Sequence, residues 1–400
     1  MESSLEQARQ AFLDGVELFE RQQFERAASF FERALQLAPG RPSVLMNLGA
    51  SWVQLGHFER ADECLRQALA ADDQQCDAWV AWGVTQMALG DWPQALHCHE
   101  QARALGADGA GFCLRWGQCL ARAGRLPQAL QAFGQALAHD PGLAEAWSQR
   151  AHVFRDTGQT EQAIADYQRA LQLGAEPELH RYYLAALSPQ QPVVNAPLAY
   201  VEKLFDQYAE DFEAHLVAQL GYQGHSVLLQ QLPVEPTRRF ERVWDLGCGT
   251  GLCGPLVRHR ADHLTGVDLS SAMVAKAQSL GVYDSLHAQE LVTFLQQNTT
   301  QADLVLAADV FIYVGWLEAA FEALSPRMQP GGWLAFTVEE SEPGLAVQLH
   351  SSLRYAHGLD YLQKLAAQHG WRWVKAHRAP LRLDQAQPLM GVFVYMQKIE

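Results

Sequence analysis

Between about Ala8 and Pro177 the chain repeats itself every 34 residues, and the register never slips across five units. Small residues recur at Gly15, Gly49, Gly83, Gly117 and Ala151. Alanines recur at Ala27, Ala61, Ala95, Ala129 and Ala163, and again at Ala34, Ala68, Ala102, Ala136 and Ala170. Between these sets fall Phe31, Leu65, His99, Phe133 and Tyr167, and turn glycines stand at Gly56, Gly90, Gly124 and Gly158. A small residue is needed where two helices cross closely, and a large one packs between them. Glycine suits the turn, where a left-handed residue is cheap. One such helix–turn–helix cannot bury its apolar face alone, so the units must stack into a superhelix with a concave face. The pattern predicts an all-α solenoid over 1–188, with five repeats at about 8–177 and Glu178 to Leu187 as a capping helix.

Four hundred residues are too many for one ordinary core, so a second domain is expected. The composition, 48% apolar and 19% charged, is that of a soluble globular chain. No apolar run is long enough to span a bilayer, and Met1-Glu2-Ser3-Ser4-Leu5-Glu6 is no signal peptide. The seven cysteines are scattered, with no Cys-x-x-Cys pair, which favours reduced thiols and a cytoplasmic location. A formal net charge of −15, spread over both halves, leaves no basic footprint for nucleic acid. His97-Cys98-His99 could suggest a metal, but His99 occupies the large packing position of its repeat, so no metal site is expected.

Three prolines within 188–197 mark a linker over 189–197. Beyond it, Tyr200, Leu204, Phe205, Tyr208, Phe212, Leu216 and Leu220 lie at helical spacing, with a further helix over Val227 to Leu232. From Arg242 strands and helices alternate, as in an α/β sheet covered on both faces. Strands are expected at 242–246, 263–268, 285–287, 302–308, 333–338, 371–376 and 392–396. The loop between the last two is too short for a helical crossover, so they pair antiparallel.

The second domain centres on Val243-Trp244-Asp245-Leu246-Gly247-Cys248-Gly249-Thr250-Gly251, an apolar strand ending in an acid and a glycine-rich turn. Thr265-Gly266-Val267-Asp268 is a second strand ending in an acid. Gly249 to Gly254 also spells the Gly-x-Gly-x-x-Gly dinucleotide fingerprint. A pyrophosphate there would lie close to Asp245, where like charges repel, whereas a sulfonium and an ammonium would be attracted. S-adenosylmethionine fits that charge pattern, with S-adenosylhomocysteine as its product.

The 34-residue units resemble tetratricopeptide repeats, and about 198–400 resembles a Rossmann-like class I methyltransferase with a seven-stranded sheet and an antiparallel last strand. The whole chain resembles bacterial proteins described as predicted methyltransferases with tetratricopeptide repeats. That resemblance implies roles. Gly247, Gly249 and Gly251 would let the backbone pass close to the cofactor, Asp245 would hold its amino-acid end, and Asp268 its ribose hydroxyls. Leu269 and Met273 would pack on the adenine, and Glu290 would stand where the family usually has an aspartate that meets the adenine amino group. Helices over 198–232 would form a lid, with Tyr208 either touching the cofactor or packing in the core. Asp309 would face the transferable methyl, or else cap a helix.

Methyl transfer needs an aligned nucleophile, and a base only when that nucleophile must lose a proton. Candidates for such a base are Asp309, Tyr313, Glu339, Tyr355 and His357, the last equally able to be structural. In place of the Asp-Pro-Pro-Tyr sequence of many amide and adenine methylating enzymes stands Asp309-Val310-Phe311-Ile312, which leaves small-molecule, carboxylate and hydroxyl methylation open. Three uses of the array follow. It recruits a protein, peptide or carrier-bound acceptor through its concave face, where Asn47, Arg115 and Gln149 are candidate contacts. It serves oligomerisation while the enzyme methylates a free small molecule. Or the chain is mainly a scaffold with a weakly active domain. Intact acids and glycines favour an active enzyme over a scaffold.

Overall fold

The computed structural model describes residues 2–188, 195–210, 212, 220–384 and 387–399. The chain divides into two compact units, Met1–Ala175 and Glu176–Glu400. Among the described residues no helix is long and apolar enough to cross a membrane.

The first unit is ten helices in five antiparallel pairs: α1 (Glu2–Glu20) with α2 (Phe24–Leu37), α3 (Pro42–Gln54) with α4 (Phe58–Ala71), and α5 (Cys76–Leu89) with α6 (Trp92–Ala104). They continue with α7 (Ala110–Arg122) against α8 (Leu126–His139), and α9 (Ala144–Asp156) against α10 (Thr160–Gln172). The periodic pairs explain the packing. A Cβ added at Gly15, Gly49, Gly83 or Gly117 would stand 2.6–2.7 Å from Phe31, Leu65, His99 or Phe133, so each large side chain rests on the bare backbone of the facing helix. The imidazole of His99 fills this socket like any apolar knob, and burial lowers its pKa to about 4. Turn glycines adopt positive φ, as at Gly56 (75°), where the His57 N–H closes back on the Trp52 carbonyl at 2.9 Å. In the first repeat the same turn falls on Gln22, at φ 58°, with Gln23 N–H on the Leu18 carbonyl.

The second unit opens with α11 (Pro177–Leu187), the segment expected to cap the solenoid. It groups with the second unit because Tyr182 is fully buried there: its hydroxyl donates to the Leu353 carbonyl at 2.6 Å and its ring meets Tyr200 and Tyr355. Then come α12 (Leu198–Tyr208) and α13 (Gly224–Gln230). The expected lid residues 211 and 213–219, and most of the linker, lie outside the described residues.

The sheet is built from β1 (Phe240–Leu246), β2 (Ala261–Asp268), β3 (Ser285–Ala288), β4 (Ala302–Ala307) and β5 (Met328–Glu340), parallel in the order β3-β2-β1-β4-β5. Its strands read as buried apolar runs, as parallel strands covered on both faces do. Helices α14 (Gly254–Val257), α15 (Ser271–Ser279), α16 (Leu291–Gln297), α17 (Glu318–Leu324) and α18 (Leu359–Gln368) supply crossovers and cover. Trp244, Phe294, Phe321, Phe336 and Trp371 form one core, and Leu228, Phe240, Val257, Phe393 and Tyr395 the other. Two short strands, β6 (Val347–Leu349) and β7 (Tyr355–His357), form a hairpin that pairs with the end of β5. Sequence patterning had placed no strands in this stretch.

The final pair, β8 (Trp371–Asp384) and β9 (Gln387–Lys398), is antiparallel as expected, with β9 on β5. Both strands run well past the expected 371–376 and 392–396, because the pairing continues through register shifts near Lys375 and Arg382.

The knob-and-socket packing makes opposite predictions at two sites. Gly117→Val puts branched carbon where Phe133 sits and should destabilise the first unit by about 1–3 kcal/mol. Gln22→Gly should stabilise it by roughly 0.5–1 kcal/mol, because relief of a left-handed non-glycine residue (about 1–2 kcal/mol) exceeds the added freedom of the unfolded chain (about 0.5–1 kcal/mol). Denaturant midpoints of the two variants read both signs.

Candidate functional site

The strand order reverses between β1 and β4: the chain leaves β1 toward β2 and β3, and β4 toward β5. A crevice at the carboxyl ends of such a pair is where open α/β sheets take ligands. Here it lies between the glycine turn after Asp245 and the loop after Ala307. Gly247 has φ +65°, and a Cβ on it would stand 2.3 Å from Val310, so the two loops meet only because glycine is there.

Asp245 is 1% exposed. Its Oδ2 accepts from the Tyr283 hydroxyl at 2.7 Å, and the Cys253 thiol also bonds to it. Burial pushes its pKa up to about 7, against the Tyr283 hydrogen bond, with the nearby Asp268 adding to the rise. Asp268 is held differently. Its Oδ2 accepts the Gly249 N–H at 2.8 Å and its Oδ1 the Ser270 N–H at 2.9 Å, so it ties the glycine turn to the end of β2. Burial raises its pKa, while these two N–H groups pull the other way. Next to it, Asp206 of α12 accepts from Ser270 Oγ at 2.5 Å, which fastens the entry helix over the start of α15.

An aromatic chain crosses the mouth. Tyr208 meets Phe212 edge to face at 5.3 Å, Phe212 meets Phe205 at 6.4 Å, and Phe205 meets Tyr313 at 5.0 Å. Phe212 also faces Gly249: an added Cβ there would meet it at 4.0 Å and nothing nearer. Thus Tyr208 packs within a cluster of aromatics whose members Phe205 and Phe212 were visible at helical spacing, though sequence reasoning assigned them no contact.

At the other wall Asp309 has φ 61°, a left-handed conformation for a non-glycine residue. Its N–H donates to Thr337 Oγ1 at 2.8 Å, and its Oδ2 pairs with Arg382 at 2.8 Å. It caps no helix; Val310 occupies the N-cap of the short turn Phe311–Tyr313. Arg382, 3% exposed, also pairs with Glu339 at 3.1 Å. Burial raises the pKa of Glu339, opposed by Arg382. Sequence reasoning missed Arg382, because a bulge turns it inward and a bulge leaves no mark in the residue pattern. Arg354, on the β6–β7 turn, lies close to Tyr313.

Four of the expected residues have partners or burial of their own in the structure. Met273 is fully buried and presents no surface to a ligand, its N–H capped by Ser270 Oγ at 3.1 Å. Both oxygens of Glu290 serve as the N-cap of α16, taking the N–H groups of Val292 and Thr293 at 2.8 and 2.7 Å; Leu269, by contrast, is half-exposed after Asp268. His357 is fully buried, and its Nε2–H donates to the Gly315 carbonyl at 2.8 Å, with Val314 at 3.1 Å. Burial lowers its pKa to about 4, opposed by these carbonyls. A ring so placed supports the loop after β4. Tyr355 is likewise fully buried, packed on Tyr182.

In the first unit, Asn47 bonds to its own helix at Ser43, while the Arg115 Nε is buried with no hydrogen-bond partner among the described residues. Asp108, Cys113 and His139 bring ligand atoms within 4.8 Å of one another, but His139 pairs with Asp108 at 2.9 Å and Arg103 stands 3.5 Å from the same carboxylate.

Comparisons with known proteins find both kinds of domain. Residues 244–334 match a family described as a methyltransferase domain, and 18–81, 80–144 and 144–174 match families described as tetratricopeptide repeats. The chain is similar to malonyl-[acyl-carrier protein] O-methyltransferase of Enterobacter lignolyticus (strain SCF1), 31% identical over 137 residues, which are 34% of this chain and 52% of that protein. It is similar to trans-aconitate 2-methyltransferase of Pseudomonas paraeruginosa, 33% identical over 97 residues, 24% of this chain and 34% of that protein. The chain thus spans about half the length, or less, of these curated relatives. Among solved structures, the N-methyltransferase NodS from Bradyrhizobium japonicum WM9, in complex with S-adenosyl-l-homocysteine, covers 50% of this chain and 99% of its own at 14% identity and a TM-score of 0.41.

The raised carboxyl of Asp245 has a testable sign. A folded pKa of about 7 lies above the ordinary 3.8, so the folded state holds the proton more tightly and loses stability as pH rises from about 4 to 7. Relative to Asp245→Asn, the wild type should lose about 3 kcal/mol between pH 5 and pH 8, read from urea unfolding at those two values. A flat difference would place the carboxyl in contact with water.

From sequence period, fold and family match together, the chain carries tetratricopeptide repeats followed by an α/β methyltransferase domain.

Proposed function

We propose that the protein is an S-adenosylmethionine-dependent methyltransferase whose repeat array recruits a protein, peptide or carrier-bound acceptor. The observation that carries this reading is Asp245: a buried carboxyl beside a glycine turn, at the switch point of the sheet. A cation placed there recovers the cost of ionising it, and a pyrophosphate adds to that cost. Two orphaned polar atoms fit a ligand in the crevice. Thr250 Oγ1 on one wall and Asp309 Oδ1 on the other are buried with no hydrogen-bond partner among the described residues. The space at Gly249, which a Cβ would fill, fits it as well.

In this reading Asp245 and Asp268 hold the cationic and ribose ends, with Leu269 beside the base. Gly247, Gly249 and Gly251 clear the path, and the aromatics of the lid exclude water. The bound cofactor supplies a methyl carbon activated by a sulfonium. Supporting recruitment, the Enterobacter relative is named for an acceptor on a carrier protein, and solenoid arrays offer a long concave surface. The Pseudomonas relative is named for a free acid, which keeps the small-molecule reading in play.

Calorimetry on the full chain tests the cofactor. The wild type should bind S-adenosylmethionine, and Asp268→Ala should weaken it about 10–100-fold, the worth of charge-assisted hydrogen bonds. No binding by the wild type overturns the assignment. Tritiated cofactor added with a cell extract tests the acceptor: recruitment predicts acid-precipitable label, and label confined to small molecules favours the free-metabolite reading.

A further inference from the structure

Resting on the methyltransferase reading, we propose that Tyr283 is a positioning residue for the cofactor: its phenol aims the Asp245 carboxyl and couples capture of the cofactor's cationic end to release of a proton.

The placement of the ring comes first. Tyr283 stands just before β3, and its hydroxyl donates to Asp245 Oδ2 at 2.7 Å. Three glycines from three elements frame the ring. An added Cβ would meet it at 3.1 Å from Gly251 of the glycine turn, at 2.9 Å from Gly266 of β2, and at 2.8 Å from Gly254 of α14. A phenylalanine would fill this socket as well as a tyrosine does. Packing therefore accounts for the ring but not for the hydroxyl, whose partner is the acid at the end of β1. One donor on Oδ2 fixes the direction of the carboxyl group beside the turn.

The neighbours of Asp245 give the hydroxyl a second consequence. Cys248 and Cys253 approach from the turn, Asp268 from β2, Tyr222 from ahead of α13 and Tyr283 from ahead of β3. The thiols and phenols stay protonated, since burial raises the pKa of each. The remaining neighbour is an acid, so none of these groups is a cation. Ionising Asp245 then places a charge in a dry setting beside Asp268, where a neutral donor stabilises it only in part.

Burial accordingly raises the pKa of Asp245 to about 7, against the pull of the Tyr283 hydroxyl. Near neutral pH the free protein holds the proton part of the time. A bound cation holds the ionised form, and the proton passes to solvent. The phenol decides where on the pH scale this exchange falls. Without it the acid keeps its proton to higher pH, and each binding event must displace more of it.

Calorimetry on the full chain, run in two buffers of different ionisation enthalpy, counts the protons released when S-adenosylmethionine binds. At pH 7 the wild type should release about half a proton, and Tyr283→Phe closer to a whole one. Asp245→Asn should release none from this site, and it sets the baseline for the ligand's own amine. Gly254→Ala, whose Cβ would stand 2.8 Å from the ring, displaces the phenol without removing it and should raise the count in the same direction. Between pH 5.5 and pH 7.5 wild-type affinity should climb and level off. Tyr283→Phe should be about threefold weaker or more and still climbing at pH 7.5. The neutral thioether 5′-methylthioadenosine reports folding: its affinity should stay within threefold across the variants and should not rise with pH. A merely structural tyrosine gives parallel affinity curves and equal proton counts. That result, or wild-type binding with no proton released beyond the Asp245→Asn baseline, overturns the proposal alone. Absence of any S-adenosylmethionine binding by the wild type strikes the methyltransferase reading itself.

Discussion

The crevice depends on one buried guanidinium. Arg382 reaches from β8 to Asp309 at the end of β4 and Glu339 on β5, joining three strands at the rim of the sheet. Removing one partner of such a group leaves a buried charge uncompensated, at a cost of about 3–5 kcal/mol. The pairing is weak evidence for net stability, because desolvation cancels much of the attraction. What it does supply is position. Asp309 stays in a left-handed conformation because its N–H is fixed by Thr337 while its carboxylate is fixed by Arg382. The loop that follows then passes against Gly247, and Tyr313 comes round to face Phe205.

How far the sequence disclosed this arrangement follows from the range of each interaction. The repeats were legible because glycine and its facing large residue are sixteen positions apart in every unit, from Gly15 and Phe31 to Gly117 and Phe133. The central strands were legible because a doubly covered parallel sheet demands unbroken apolar runs. Glu290 was ambiguous because an acid after a strand looks the same whether it meets a ligand or caps the next helix; in the structure it bonds Val292 and Thr293. Arg382 and the hairpin bearing Arg354 were illegible, since one rests on a bulge and the other on a two-residue pairing with β5. The placement of α11 turned on Tyr182, whose hydrogen-bonding partner lies 171 positions away.

The two acids of the glycine turn show why a single motif could not decide its ligand. Asp268 is held by backbone N–H groups, which stabilise its charge against the burial that raises its pKa. Asp245 has a phenol and a thiol in a dry setting, and its charge is worth forming only when a cation arrives. The Gly-x-Gly-x-x-Gly spelling adds little against this. Phosphate recognition by that fingerprint relies on the amino end of a full helix, where aligned peptide dipoles converge. Here Gly254 opens a helix of only four residues, and a Cβ on it would stand 2.8 Å from the Tyr283 ring that serves Asp245. The third glycine therefore makes room for the phenol that bonds Asp245. In this fold the last glycine of the fingerprint serves a buried acid at the rim of the sheet.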